Sequence, residues 1–348
     1  MRGHLLQIAI LLSLSLQAGG NSGGGHLLVS SYGLLLALQP DGRQAVLADS
    51  ANSASLSPDG KRVAYTTSGD EQSLMVVNVD GTARTELVKL PKGAHFGEIG
   101  WTPDGGSVAY ESAVPNKGTD LYLAAFPPMG AAPRNLGHSY QGFSFSPDGA
   151  QIVHAVNGAD SSGLEVLDLR TGKRTLIHKT KTIVWDAQFS PDSRFIAYSM
   201  TLSEPDRQDD EPDCTPPTIG LWIYSLADHS EHPVVIRDAP KEWENVKNFA
   251  WSPDSKRIAL TLGTVDCDYP GSAVSIFVTT VDLKSQTRLS KSEMAFEPAF
   301  APDGSGVAFV DFSDSPAKLM HYDLATGKLR IIRIASEQNN YYHLIGWR

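Results

Sequence analysis

Five residues before each of six regularly spaced prolines stand Ser53, Glu98, Gly142, Asp186, Asn248 and Glu297, and Leu344 occupies the matching seventh place. Three carboxylates and an amide at one level of a repeating scaffold would line a polar ring. Such a ring takes a cation or a basic group of a partner. The competing use is for each side chain to bond the backbone of its neighbour. The residues alone leave both readings open.

A second acidic group lies in Leu202–Thr218 (LSEPDRQDDEPDCTPPT), which carries Glu204, Asp206, Asp209, Asp210, Glu211 and Asp213; a later loop adds Asp266 and Asp268. Clustered oxygens suit calcium or another divalent cation. The segment lacks the order of an EF-hand loop, with no Gly at the sharp turn. A solvated, Pro-stiffened acidic loop is therefore the preferred reading, and no resident cofactor is expected. Trp243, Tyr341 and Tyr342 set aromatic rings beside this charge, as ligand-binding surfaces do. His95, His138 and His343 precede or enter the strands that carry the ring positions. Three histidines at a channel mouth would suit a transition metal; scattered surface histidines are the plainer reading. No GxSxG, HExxH, Walker loop or GxGxxG occurs, which lowers the expectation of catalysis.

The elements that must position these residues follow from a repeat. SLSPDGKRVAY, GWTPDGGSVAY, SFSPDGAQIVH, QFSPDSRFIAY, AWSPDSKRIAL and AFAPDGSGVAF recur with prolines at Pro58, Pro103, Pro147, Pro191, Pro253 and Pro302. Their spacings are 45, 44, 44, 62 and 49 residues. In each copy an apolar or aromatic residue ends one strand. Pro presets φ, Asp bonds nearby backbone and Gly tolerates φ > 0, so the phrase is a hairpin turn. Ser193 and Ser255 replace that Gly in two copies. A turn needs these six aspartates, so they are not read as catalytic.

Two further strands complete each period, for example Gly163–Leu169 and Thr175–His178 around Arg170-Thr171-Gly172-Lys173. Four short strands per mid-forties period are one blade of a β-propeller. The ends supply a seventh blade. Asn340–Trp347 reads as a first strand, with Trp347 where Trp101 and Trp251 sit, and 26–30, 33–38 and 43–47 read as the remaining three. Closing the ring with one C-terminal and three N-terminal strands removes open sheet edges. The expected fold is an all-β seven-bladed propeller of four-stranded antiparallel blades over residues 26–348, with six blades as the alternative.

Residues 1–20 read as a signal peptide, with basic Arg2, the apolar run Leu5–Leu16 and small Ala18, Gly19 and Gly20; 21–25 form a flexible leader. The run is too short to span a bilayer, so no membrane span is expected after its removal. The formal charge is −10, and without Arg2 it becomes 28 − 39 = −11. That balance repels nucleic acid, which needs Lys and Arg to neutralise phosphate. The two cysteines, Cys214 and Cys267, fall between second and third strands of the fourth and fifth periods. Neighbouring blades bring such loops together, and an oxidising compartment makes a disulfide the expected state. The chain-entropy model gives it about 4 kcal/mol for a loop of roughly fifty residues.

The repeats WTPDGGSVAY, FSPDGAQIVH and WSPDSKRIAL, each followed by an LYL- or LWIYSL-type strand, resemble the TolB-type, or WD40-like, β-propeller repeat. The resemblance covers nearly all of 25–348. It implies an exported bacterial protein, periplasmic or secreted, that acts as a binding scaffold. The chain is expected to be a relative of TolB rather than TolB itself, which carries an α/β domain before a six-bladed propeller. Propellers of dipeptidyl peptidase IV, prolyl oligopeptidases and the metal-dependent oligogalacturonate lyase are similar too. The expected function is non-enzymatic binding of a protein, peptide or glycan on the channel face. A metal-dependent polysaccharide lyase or hydrolase is the alternative.

Overall fold

A computed structural model of the chain describes residues 26–347, apart from 32, 39–42, 116, 140, 158–161, 203–217, 238, 240–244, 265–272 and 335–342. The described residues form strands and turns with no helix. They make seven four-stranded antiparallel sheets. Blade 1 runs from the inner strand Ala51–Leu56 through Arg62–Thr67 and Ser73–Asn78 to the outer strand Thr85–Lys89. Blades 2 to 6 repeat this order from inner strands His95–Trp101, Gln141–Phe145, Val184–Phe189, Asn245–Trp251 and Ala295–Phe300. In blade 7 the inner strand His343–Trp347 pairs with Leu27–Ser31, and Leu34–Leu38 and Gln44–Ala48 complete the sheet. The seven-bladed ring, closed by one C-terminal and three N-terminal strands, is the architecture expected from the repeat.

The turn chemistry is the one anticipated. Ser57, Thr102, Ser146, Ser190 and Ser252 each donate a hydroxyl hydrogen bond to the aspartate two residues on, at 2.6 to 2.7 Å. The same aspartate oxygens accept backbone N–H groups beyond the turn, for example from Lys61, Gly106, Ala150 and Lys256. Ala301 breaks the series, and Asp303 turns instead to Ser305, whose N–H it accepts at 2.9 Å. Thus the recurrent Asp closes a hairpin, which is the reason it recurs.

Burial explains the ring. Each of seven apolar clusters joins two successive blades; one sets Ala64 and Leu74 of blade 1 against Ile99 and Val108 of blade 2. Another joins Val29 and Leu36 of blade 7 to Ala308 and Leu319 of blade 6. A single blade leaves both faces exposed, so stability requires the closed stack. Tryptophans two residues before the turn Pro add inter-blade bonds. Trp101 Nε1 donates to Ser55 O at 3.1 Å, and Trp251 Nε1 to Gln188 O at 3.3 Å.

Every inner strand breaks register within a residue or so of its ring position. The shift lies between Ala51 and Ser53, Phe96 and Ile99, Gln141 and Phe143, Val184 and Asp186, Val246 and Asn248, and Phe296 and Ala299. In blade 7 it lies between Leu28 and Val29, opposite Ile345. A bulge bends the strand and re-aims a side chain. Glu98, Gly142 and Glu297 fall within the unpaired stretch, whereas Ser53, Asp186 and Asn248 are the paired residues that follow it.

Candidate functional site

The bulges sort the expected ring residues into different roles. Ser53 N–H donates to Thr66 Oγ1 at 3.1 Å. Thr261 donates its hydroxyl to Asn248 Oδ1. Glu297 has φ of 59° and its Oε2 accepts Leu344 N–H from blade 7 at 2.6 Å. Asn248 and Glu297 thus spend a side-chain oxygen on their own blade or the next one, while Ser53 is tied through its backbone.

Glu98 and Asp186 are arranged differently. They belong to blades 2 and 4, with blade 3 between them, and blade 3 carries Gly142 at the matching position. Gly142 has φ of +71°. A Cβ there would lie 3.0 Å from Trp185 O and 3.3 Å from Asp186 Oδ1. The missing side chain is thus the space that admits the Asp186 carboxylate. The adjacent Phe143 N–H bonds the Glu98 carboxylate. Both acids therefore converge on the two-residue segment Gly142-Phe143. Neither forms an ion pair among the described residues.

Electrostatics follow from this convergence. Glu98 keeps solvent access, yet surrounding protein atoms deprive its carboxyl of hydration. Loss of hydration, then the charges of Asp186 and Glu111, hold its carboxyl well above the usual range; the Phe143 N–H opposes them. Burial likewise raises Asp186, against hydrogen bonds from Gln188 Nε2, at 3.1 Å, and the Ala187 N–H. Such a pair resists carrying two negative charges, and a cation or a proton relieves it.

Glu111 was missing from the sequence reading. It lies on the second strand of blade 2, is almost fully buried, and accepts Ser139 Oγ at 2.8 Å and Glu98 N–H at 3.2 Å. Gly97 makes room for it, since a Cβ there would stand 2.7 Å from Glu111 Oε2. Eight residues after the turn Pro, the other copies carry Thr66, Ala155, Ser199, Thr261 and Val310. One acid among these was the signal available. Lys247 was also missed. It occupies the blade 5 bulge, and burial lowers its pKa.

Blades 4 and 5 meet unevenly. Their inner strands scarcely touch, and the blade 5 inner strand rests instead on the third strand of blade 4, Ile219–Ser225. They are joined at the turn end by Trp251–Gln188 and by Asp192 N–H donating to Ser255 Oγ at 2.9 Å. The remaining expected site residues, Asp209, Asp210, Asp213, Trp243, Tyr341 and Tyr342, lie outside the described residues, as do Cys214 and Cys267. Of the histidines, His95 and His138 are exposed, and His138 Nδ1 stands 3.8 Å from Asp120. Among the described residues no three His, Cys, Asp or Glu side chains are placed to hold one metal ion.

No family model matches the chain. It is 26% identical over 335 residues to dipeptidyl-peptidase 5 of Porphyromonas gingivalis, covering 89% of this chain and 43% of that protein. It is 26% identical over 192 residues to the Tol-Pal system protein TolB of Francisella tularensis, covering 53% of this chain and 39% of that one. The chain thus spans about two-fifths of the length of these curated relatives. Among solved structures, TolB of Acinetobacter baumannii superposes with a TM-score of 0.55 at 19% identity, covering 83% of this chain and 66% of that one. A prolyl endopeptidase gives 0.65 at 13% identity over 92% of this chain and 50% of its own. Oligogalacturonate lyase of Vibrio parahaemolyticus gives 0.59 at 13% over 90% and 87%. The TolB-type propeller resemblance read from the repeats therefore holds at the level of sequence and of fold.

Proposed function

We propose that the chain is an exported binding propeller that takes a protein, peptide or glycan on the loop side of its channel. Glu98 and Asp186 engage a cationic group of that partner. The observation that carries this reading is the placing of the two acids about Gly142-Phe143, with no ion pair of their own among the described residues. Two carboxylates with little hydration gain more from a partner's ammonium or guanidinium than from water. The sequence supports the same face independently, since Asp209, Asp210, Asp213, Trp243, Tyr341 and Tyr342 all fall in loops that leave on that side. Export is supported by the apolar leader of 1–20 and by the resemblance to TolB; no helix among the described residues is long and apolar enough to cross a membrane.

The test uses tetralysine amide as probe, followed by calorimetry. Glu98→Gln with Asp186→Asn is expected to weaken binding by roughly tenfold or more, about 1.4 kcal/mol. Asp59→Asn with Asp148→Asn removes the same charge from the turn side and is expected to leave affinity alone. Equal losses in both pairs would reduce the effect to net charge and overturn the site. Trp243→Ala, and neutralisation of Asp209, Asp210 and Asp213 together, extend the test to the loops. The alternative, a metal-dependent polysaccharide lyase or hydrolase, is supported by likeness of fold to oligogalacturonate lyase. Stoichiometric manganese, zinc or iron in purified protein would favour it.

A further inference from the structure

We propose that His321 is an acid-sensitive clasp of the ring: as the neutral imidazole it lets the C-terminal strand of blade 7 close on blade 6, and as the imidazolium it loosens that joint. The clasp does not depend on the partner proposed above.

His321 lies on the third strand of blade 6, Lys318–Asp323, opposite Ala308. In the same register the other repeats carry Val76, Leu123, Val166, Ile223 and Val278, opposite Ala64, Ala109, Val153, Ala197 and Ala259. Blade 6 thus sets a titratable ring, 5% exposed, where five blades place an aliphatic side chain. Such an exchange costs stability unless hydrogen bonds offset it.

The exchange serves one joint. Four residues after the turn Pro, Arg62, Phe195 and Arg257 each lay a side chain against the aromatic residue two before the next turn Pro. Arg62 Cζ stands 6.0 Å from the Trp101 ring, Phe195 6.4 Å from Trp251, and Arg257 Cζ 5.8 Å from Phe300. Blade 6 has Gly306 at that offset, and a Cβ there would lie 2.4 Å from His321 Nε2. The imidazole occupies the vacated place and meets Trp347 of the closing strand, with ring centroids 5.4 Å apart and planes at 71°. Trp347 Nε1 is buried with no hydrogen-bond partner among the described residues, whereas Trp101 and Trp251 each bond the preceding blade. The closing joint thus lacks that tie and keeps the ring contact.

Arg330 decides which form of the imidazole fits. It stands opposite His321 on the outer strand, and its Nε donates to His321 Nδ1 at 3.3 Å. Nδ1 must keep its lone pair to accept that bond, so the neutral ring carries its proton on Nε2. A second proton, on Nδ1, sets N–H against N–H and one cation against another inside a packed joint. Attraction of the imidazolium for the Trp347 ring opposes this. The other charged groups at this end of the blade are Asp323 and Asp303, which favour the charged form, with Lys328 in the adjoining turn. Blade 7 turns apolar side chains toward blade 6, among them Leu27, Leu36 and Leu38, and His26 and Arg43 flank its strands at the same end. Glu297, Asp311, Lys318 and Arg333 belong to the far end of the sheet. Titration agrees with the geometry: burial, then Arg330, hold the His321 pKa below its ordinary value, against the two aspartates.

A histidine with a lowered folded pKa takes up its proton more readily once the joint is open. Closure is therefore complete above the unfolded value of about 6.5 and weakens as pH falls through the folded value. Mild acid then releases His343–Trp347 from blade 6 and opens the ring at blade 7.

Hydrogen exchange of the full chain, corrected for the intrinsic pH dependence of exchange, tests the clasp without any ligand. Between pH ~7.5 and pH ~5, protection of His343–Trp347 and Leu27–Ser31 is expected to fall by about tenfold relative to His95–Trp101 of blade 2. His321→Val installs the side chain of blades 1, 3 and 5 and is expected to abolish that selective loss. Arg330→Met keeps the histidine, and is expected to reduce the loss and to raise the His321 titration followed by nitrogen-15 NMR. An equal acid response in wild type and His321→Val, or protection of His343–Trp347 that rises in acid, would overturn the clasp. So would a wild-type His321 titration at or above the ordinary histidine value. Should His321→Val not fold, the titrations of wild type and Arg330→Met still decide. A lowered step that Arg330→Met moves up supports the clasp, and a step it leaves in place overturns it.

Discussion

Asp192 of blade 4 donates its backbone N–H to Ser255 Oγ of blade 5 at 2.9 Å. Ser255 is one of two residues that replace the turn glycine; it is almost fully buried and has φ of +59°. In other copies the glycine lies against the turn proline of the preceding blade, as Gly149 does with Pro103. Ser255 thus accepts left-handed backbone, which disfavours a side chain, and spends its hydroxyl on the neighbouring turn. That bond closes the turn end of the two blades whose inner strands otherwise stand apart.

Ser255→Ala retains the unfavourable φ and loses the bond. Stability is expected to fall by about 1 kcal/mol. Ser193→Ala, at an exposed turn with the same φ and no cross-blade bond of its hydroxyl, is the comparison and should change little. Urea unfolding of both variants measures the difference; equal losses would show that the cross-blade bond contributes nothing.

Gly142→Ala places a Cβ 3.0 Å from Trp185 O at a residue with φ of +71°. Contact and backbone strain act together, and a loss of about 1–3 kcal/mol is expected. Gly172→Ala, with a similar φ but nothing within 4 Å of its Cβ, isolates the strain alone. Thermal melts should place Gly142→Ala well below Gly172→Ala.

Stability should depend on pH in two opposed ways. The turn aspartates Asp59, Asp104, Asp148 and Asp303 have lowered pKa values, chiefly from their hydroxyl or side-chain hydrogen bonds. Their contribution is present above the unfolded value of about 3.9 and is lost as pH falls through the folded values. Glu98 and Asp186 are raised, so the folded state binds more protons there, and stability falls as pH rises from the ordinary carboxylate range through the raised values. A maximum on the acid side of neutrality follows. Glu98→Gln should raise Tm at alkaline pH and have a smaller effect near pH ~4. A uniform effect across that range would contradict the assignment.

Deleting 340–348 removes the inner strand of blade 7, including buried Leu344, and exposes Leu27–Ser31 as a sheet edge. Loss of cooperative unfolding and aggregation are expected. A truncated chain that melts as the full one does would refute the ring closure.

The proposed Cys214–Cys267 disulfide is tested by thiol titration of denatured, unreduced protein. No free thiol is expected, and reduction should lower Tm. Two reactive thiols per chain would eliminate it.

The architecture was legible because its determinants are local and repeated. A Ser-Pro-Asp-Gly turn closes through atoms within about five residues of one another, so the six copies could be read one at a time. Even the ring closure was readable, since Trp347 and the strands of 26–48 complete a pattern that the repeats define. The ring positions were also visible as a column of residues at constant offset from Pro. Their division of labour was not. Whether Glu297 secures Leu344 or faces a ligand depends on a bulge and on a backbone N–H contributed 47 residues away. Glu98 and Asp186 are 88 positions apart, and what joins them is an empty Cβ position on an intervening blade. Gly142 reads in sequence as one more strand-breaking glycine. Only the closed ring, which sets blade 4 against blade 3, turns that vacancy into the seat of the Asp186 carboxylate.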